Sequence, residues 1–128
     1  MSSSAIQYPA SGTIPQGPLP FSPVTQVGNM LFVSGQASTD EKGAIVGDTF
    51  EGEFRRTMEN VRRVLQAAGS DLDKVVRVCG YVRDAADVAQ YNQLYREYFK
   101  EPFPARTTLT NCLPEIIRFE IDCIAVVD

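Results

Sequence analysis

The chain has 128 residues, of which 44% are hydrophobic and 22% are charged, and its net charge is −4. This size and composition predict one globular domain over residues 1–128 and exclude a disordered protein. The absence of histidine excludes serine–histidine and cysteine–histidine catalysis and nearly every familiar zinc site, so no metal is expected. The acidic balance makes nucleic acid an unfavoured partner.

The cysteines and the apolar segments indicate the compartment. Three cysteines, an odd number without metal-ligand spacing, are not typical of a secreted disulfide scaffold. The first residues lack the basic segment and long apolar run of a signal peptide, and no apolar stretch reaches membrane-spanning length. We therefore expect a cytoplasmic protein.

Serine, proline and glycine dominate the first twenty residues and predict an irregular arm over residues 1–20, anchored by Phe21. Val24–Val27 and Met30–Val33 follow as strands around Gly28-Asn29, a two-residue hairpin signal. The second strand runs into Ser34-Gly35-Gln36, where the glycine permits a bulge or the close approach of a ligand.

Two segments have the apolar spacing of amphipathic helices. The first runs over Asp48–Ala68, with Asp48 as the N-terminal cap, Glu51 three residues later and Gly69 as the stop. The second runs over Asp84–Phe99. The predicted buried stripes are Phe50, Phe54, Met58, Val61, Leu65 and Ala68 in the first helix, and Val88, Tyr91, Tyr95 and Tyr98 in the second.

Three further strands are predicted at Val75–Val82, Arg106–Thr110 and Ile116–Val127. The order strand, strand, helix, strand, helix, strand, strand is that of an α+β fold. Two helices cover only one face of such a sheet, yet the third and last strands are apolar on both faces. Burial of each such side chain contributes about 1.5–3 kcal/mol, so the pattern predicts a homo-oligomer that covers the second face.

A candidate anion site lies at the start of the fourth strand. Pro102 and Pro104 stiffen the chain before Arg106, whose guanidinium can bind a small carboxylate through two parallel N–H bonds. Glu120 lies in an apolar run, where a carboxylate could orient water. If the last two strands pair antiparallel around residues 113–115, Arg106 lies opposite about residue 121, beside Glu120.

Six pieces of sequence match one family pattern in order and spacing across nearly the whole chain. They are Val33-Ser34-Gly35-Gln36, Asn60 with Leu65 and Gly69, Tyr91-Asn92 with Tyr95 and Phe99, Pro104-Ala105-Arg106, Leu113-Pro114, and Glu120-Ile121 with Ile124-Ala125. The chain resembles the Rid (YjgF-type) family of reactive-intermediate deaminases.

The resemblance implies a chorismate-mutase-like fold, with a mixed, mainly antiparallel sheet and two helices on one face, in a homotrimer with sites at the subunit interfaces. It implies cofactor-free hydrolysis of 2-imino or 2-aminoacrylate-type acids to 2-keto acids and ammonia. The implied roles are the carboxylate clamp for Arg106, the water-holding residue for Glu120, and substrate contacts from Gly35 (carbonyl), Ser34, Asn92, Thr108 (backbone N–H) and Phe21.

Two departures from the family pattern leave alternatives open. Phe21 stands where related deaminases have tyrosine, and the stretch from Arg106 to Leu113 is one residue shorter. The alternatives are a non-catalytic trimer that binds small acids or regulates a partner, and an endoribonuclease or translation inhibitor. Arg106 could also be structural at a subunit interface, and Glu120 could be the ion-pair partner of Arg118 or Arg106.

Overall fold

The computed structural model describes residues 5–9, 14 and 17–128, which form an α+β fold with a five-stranded sheet. The strands are β1 (Val24–Val27), β2 (Met30–Ala37), β3 (Val75–Val82), β4 (Ala105–Thr110) and β5 (Phe119–Val126), and the helices are α1 (Phe50–Ala67) and α2 (Val88–Tyr98). The sheet order is β1-β2-β5-β3-β4. Only β3 and β4 pair in parallel, so the expected mixed, mainly antiparallel sheet is confirmed.

The predicted turn at Gly28-Asn29 joins β1 to β2. Gly28 has a φ of 60°, which the first central residue of a tight hairpin turn requires. The ladder between β2 and β5 shifts between Val33 and Gln36, and Val33 pairs with Cys123 while Gln36 pairs with Ile121. Two residues of β2 therefore oppose one residue of β5, which confirms a bulge at Ser34 and Gly35.

Helix α1 begins two residues later than predicted. Thr49 is its N-terminal cap, because the Thr49 side chain accepts a hydrogen bond from the backbone N–H of Gly52. Asp48 lies outside the helix, and its own N–H donates to the carboxylate of Glu53. The helix ends at Ala67, one residue before the predicted end, and Gly69 follows with a φ of +88° that an L-residue rarely adopts, as expected of the predicted stop.

Helix α2 is shorter than the predicted range of 84–99. A 3₁₀ turn over Ala85–Asp87 precedes it, and Phe99 is already extended. The connection β3–α2–β4 is a strand, helix and parallel strand, which brings β4 to the edge of the sheet beside β3.

Strand β5 begins three residues later than predicted, because residues 114–118 form a turn. The N–H of Ile117 donates to the carbonyl of Pro114, and the N–H of Arg118 donates to the buried carboxylate of Glu53. These bonds hold the turn against the start of α1 and keep it out of the sheet.

Both helices pack on one face of the sheet, as predicted. Alternate residues of β5 are fully buried beneath them, namely Phe119, Ile121, Cys123 and Ala125. The intervening residues Glu120, Asp122, Ile124 and Val126 lie on the other face, which we call the open face. Exposed apolar side chains on the open face include Phe32, 39% exposed, and Leu109, 45% exposed.

The predicted arm over residues 1–20 falls partly outside the described residues and stays a prediction, as does the single-domain boundary at 1–128. In the described part of the arm, Gln7 forms an isolated antiparallel bridge with Gln26 of β1. None of the helices among the described residues is long and apolar enough to cross a membrane.

Candidate functional site

Arg106 is held on the helix side of the sheet by three contacts with α2. Its Nη2 donates a hydrogen bond of 2.9 Å to Oδ1 of Asn92. Its guanidinium carbon lies 4.9 Å from the ring centroid of Tyr91 and 4.7 Å from that of Tyr95. A cation over two aromatic faces is attracted by the ring quadrupoles, so the guanidinium has a fixed position. Among the described residues it forms no ion pair with a carboxylate.

Tyr91 and Tyr95 are neutral, buried rings that belong to the core. Burial raises the pKa of Tyr91 and raises that of Tyr95 to about 12. The Tyr91 hydroxyl lies over the backbone of Gly80, where any Cβ would overlap it, and it accepts a hydrogen bond of 3.3 Å from Thr108 Oγ1. The side chain of Thr108 is thus tied to α2, and the predicted role of its backbone N–H stays a prediction.

A pocket of about 200 Å³ opens beside the Arg106 guanidinium. Its walls are Asn92, Tyr95, Arg96, Phe103, Pro104 and Arg106. Arg96 and Phe103 were not predicted from the sequence as pocket residues. Two signals in the sequence could have identified them. Arg96 lies one helical turn after Asn92, and Phe103 lies between two prolines.

Glu120 and Gly35 form a second group on the open face. A Cβ built on Gly35 would lie 2.5 Å from Oε2 of Glu120, so the carboxylate packs directly on the glycine backbone. Partial burial, and then repulsion from Asp122, raises the pKa of Glu120 above that of an ordinary glutamate. Such a carboxylate accepts a proton more readily than an exposed one.

The bulge that contains Gly35 also contains Ser34, which is tied to the segment before β1. The Ser34 hydroxyl donates to the carbonyl of Ser22 at 2.5 Å, and its N–H donates to the carbonyl of Pro23 at 2.9 Å. Phe21 directly precedes Ser22 in the chain, and it is 52% exposed. Ser34, Gly35 and Glu120 therefore share one region, and the position of Phe21 in a substrate site stays a prediction.

The predicted pairing of the last two strands is wrong. Strand β3 lies between β4 and β5, with Val78 opposite Arg106 on one side and Tyr81 opposite Glu120 on the other. Arg106 contacts the helix side of the sheet, whereas Glu120 lies on the open face. Arg106 with Asn92 and Thr108, and Glu120 with Gly35 and Ser34, are therefore two separate half-sites within one protomer.

Glu120 has no arginine partner in the described part of the chain. Arg118, one of the two partners considered for it, instead forms an ion pair of 3.6 Å with Glu53 and donates from Nε to the carbonyl of Asp48. The carboxylate of Glu120 is thus not committed to a structural ion pair within the protomer.

Comparison with known proteins identifies the family. The model of the endoribonuclease L-PSP family matches residues 12–127. A RutC family protein of Pyrococcus horikoshii is 39% identical over 108 residues, which cover 83% of this chain and 86% of that protein. A 2-iminobutanoate/2-iminopropanoate deaminase of Dermatophagoides farinae is 33% identical over 116 residues, which cover 89% of this chain and 91% of that protein.

A solved structure agrees with these sequence matches. YyfA of Yersinia pestis, described as a protein of unknown function of the conserved Rid family, superposes with a TM-score of 0.86 at 30% identity, covering 96% of this chain and all of that chain. Other relatives have mitochondrial or chloroplastic in their names, so a cytoplasmic location stays a prediction. The chain belongs to the endoribonuclease L-PSP family, which is the Rid (YjgF-type) family that its motifs indicated.

Proposed function

We propose that the protein is a cofactor-independent deaminase that hydrolyses reactive 2-imino and 2-enamino acids to 2-keto acids and ammonia. The observation that carries the proposal is the Arg106 guanidinium, fixed by Asn92 and two tyrosine rings at the wall of a pocket and free of any carboxylate partner among the described residues. Such a group suits the carboxylate of a small acid. The deaminase name of the Dermatophagoides farinae relative supports the same chemistry.

In this mechanism Arg106 binds the substrate carboxylate through two N–H groups. The imine form of the substrate exposes an electrophilic carbon 2, to which water adds. Glu120 accepts a proton of that water and passes it to the nitrogen, which gives a carbinolamine. The carbinolamine hydroxyl then loses its proton to Glu120, the nitrogen takes up that proton, and the carbon–nitrogen bond breaks to release the 2-keto acid and ammonia. General base catalysis of this kind contributes about 10²–10⁴-fold, which is adequate for an imine that already hydrolyses in water.

The active site is formed between two copies of the chain. Because Arg106 and Glu120 lie on opposite sides of the sheet in one protomer, a complete site needs Arg106 from one subunit and Glu120 from its neighbour. We propose a homotrimer for this assembly. The exposed apolar residues of the open face, among them Phe32 and Leu109, support burial against another subunit.

The test is the decay of a 2-imino acid generated in solution by an amino-acid oxidase or a dehydratase. The wild-type protein should accelerate the decay at micromolar concentration. Arg106→Ala and Glu120→Gln should each lower the rate by about 10²-fold or more. Arg63→Gln and Glu41→Gln, which change exposed side chains outside the pocket beside Arg106, are the matched controls. No acceleration by the wild type, or an Arg106→Ala variant as active as the wild type, contradicts the proposal.

One specific observation favours a second candidate, a trimer that binds small acids without turnover. Phe21, whose ring has no hydroxyl, directly precedes Ser22, and the carbonyl of Ser22 accepts the hydrogen bond from Ser34 in the bulge. Calorimetric binding of 2-oxobutanoate, with no acceleration of imine decay, would support that candidate.

The endoribonuclease alternative is opposed by the net charge of −4 and the lack of histidine. RNA cleavage that survives repurification and disappears in Arg106→Ala or Glu120→Gln would support it.

A further inference from the structure

The pocket beside Arg106 contains a second guanidinium, that of Arg96. Neither arginine forms an ion pair with a carboxylate among the described residues, whereas Arg55, Arg56, Arg62, Arg83 and Arg118 all do. No acidic side chain lines the pocket. In a chain with a net charge of −4, this pocket is therefore locally cationic, with about two uncompensated positive charges.

Asn92 accepts a hydrogen bond from each of the two guanidinium groups. Its side-chain Oδ1 accepts the bond from Arg106, and its backbone carbonyl accepts a hydrogen bond of 3.2 Å from Arg96 Nη1. Each guanidinium has about five N–H donors, so most of the donors on both groups are left for a ligand. Phe103 and Pro104 supply an apolar wall. The pocket thus presents two anion-binding groups around a short apolar surface.

We propose that the pocket selects short 2-imino and 2-keto acids that carry a second carboxylate on the side chain. Arg106 binds the carboxylate next to the reacting carbon, and Arg96 binds the carboxylate of the side chain. Arg96 is then a specificity-determining residue. The inference rests on the proposed function for the identity of the reacting group, but the choice between one and two carboxylates depends only on the pocket.

The experiment measures the binding of two stable keto acids to the full-length protein by calorimetry. The probes are 2-oxoglutarate, with two carboxylates, and 2-oxobutanoate, with one. The wild-type protein should bind 2-oxoglutarate about 10–100-fold more tightly, which is the range for one additional hydrogen-bonded ion contact. Arg96→Gln should abolish the preference, and Arg96→Lys, which keeps the charge but loses the fork of donors, should keep part of it.

The control is Arg63→Gln, which removes another arginine that forms no ion pair among the described residues, on α1 and outside the pocket. It should retain the wild-type preference. Equal affinities for the two acids, tighter binding of 2-oxobutanoate, or an unchanged preference in Arg96→Gln would each overturn the inference.

Imine decay, measured on the same samples with substrates of both kinds, separates the two proposals. A protein that binds 2-oxoglutarate through Arg96 but accelerates no imine decay contradicts the deaminase proposal alone.

Discussion

The two half-sites are built in different ways, although each presents one charged group without an ion-pair partner among the described residues. The Arg106 half-site is completed within the protomer, by an amide and two buried rings of α2. The Glu120 half-site lies on the open face, where a bulge and a glycine backbone make room for the carboxylate. The cation is therefore positioned by contacts within one chain, whereas the carboxylate lies on a face that the helices leave uncovered. This contrast is the reason to expect a site shared between subunits.

The sharpest test of that contrast is complementation between Arg106→Ala and Glu120→Gln protomers, mixed by co-expression or by refolding together. Each variant alone should have about 1% of wild-type activity or less. If each site takes one residue from each of two neighbours, random mixing in equal amounts should restore about a quarter of the sites.

The control for complementation is each variant refolded alone under the same conditions. Activity of the mixture no higher than that of the separate variants would mean that the two residues do not act across a subunit interface. Arg106 and Glu120 would then have to act together within a single chain. The sheet order makes this unfavourable, because β3 lies between the strands that carry the two residues.

A second test affects the Glu120 half-site alone. In Gly35→Ala the new Cβ would lie 2.5 Å from Oε2 of Glu120, so the carboxylate must move. A displaced base should lower kcat/KM for the imine by about 10–100-fold, since a misplacement of about 1 Å costs this much. The binding of 2-oxobutanoate by the Arg106 half-site should weaken much less.

The matched control is Gly47→Ala, because nothing lies within 4 Å of a Cβ at Gly47 and its backbone has no positive φ. It should behave as the wild type. If Gly35→Ala retained full activity, the position of the Glu120 carboxylate in the protomer would not be the catalytic one.

The pH dependence tests the electrostatics of the same half-site. Glu120 must be ionised to accept a proton, and burial together with the charge of Asp122 raises its pKa. Activity should therefore fall on the acid side at a higher pH than for an ordinary glutamate. Asp122→Asn removes the repulsion and lowers the pKa of Glu120, so the acid limb of kcat/KM should move to lower pH.

Asparagine at position 122 can still accept the 2.7 Å hydrogen bond from the Tyr81 hydroxyl, so the geometry of the open face should be retained. Asp73→Asn, outside both half-sites, is the control and should leave the profile unchanged. An acid limb that stays in place, or moves to higher pH, in Asp122→Asn would contradict a contribution of Asp122 to the pKa of the catalytic base.

Local signals in the sequence were sufficient for most of the fold. The turn at Gly28-Asn29 and the strand Val75–Val82 were predicted correctly, because turn chemistry and apolar runs act over a few neighbouring residues. The pairing of the last two strands was not. Strands adjacent in the chain often pair, but here α2 carries the chain to the outer side of β3, and β5 returns between β3 and β2.

The sequence suggested candidate site residues, whose roles stay predictions, but it did not reveal their arrangement. A proline-stiffened arginine and a glutamate in an apolar strand are visible in the sequence, whereas the side of the sheet that each one faces depends on which strand lies between them. The aromatic support of Arg106 was missed for a similar reason. Tyr91 and Tyr95 have the spacing of core residues, and they are core residues, but their outer ring faces also hold the guanidinium.

The smallest expected effect concerns the two tyrosines of the Arg106 half-site. The Tyr95 hydroxyl is buried and has no hydrogen-bond partner among the described residues, whereas the Tyr91 hydroxyl is bonded to Thr108. Tyr95→Phe should therefore raise the free energy of unfolding by up to about 1 kcal/mol, and Tyr91→Phe should lower it by about 1 kcal/mol. Urea denaturation of both variants measures the two changes in the free energy of unfolding and shows whether each is positive or negative. A loss of stability in Tyr95→Phe would contradict the buried, unpartnered state of its hydroxyl among the described residues.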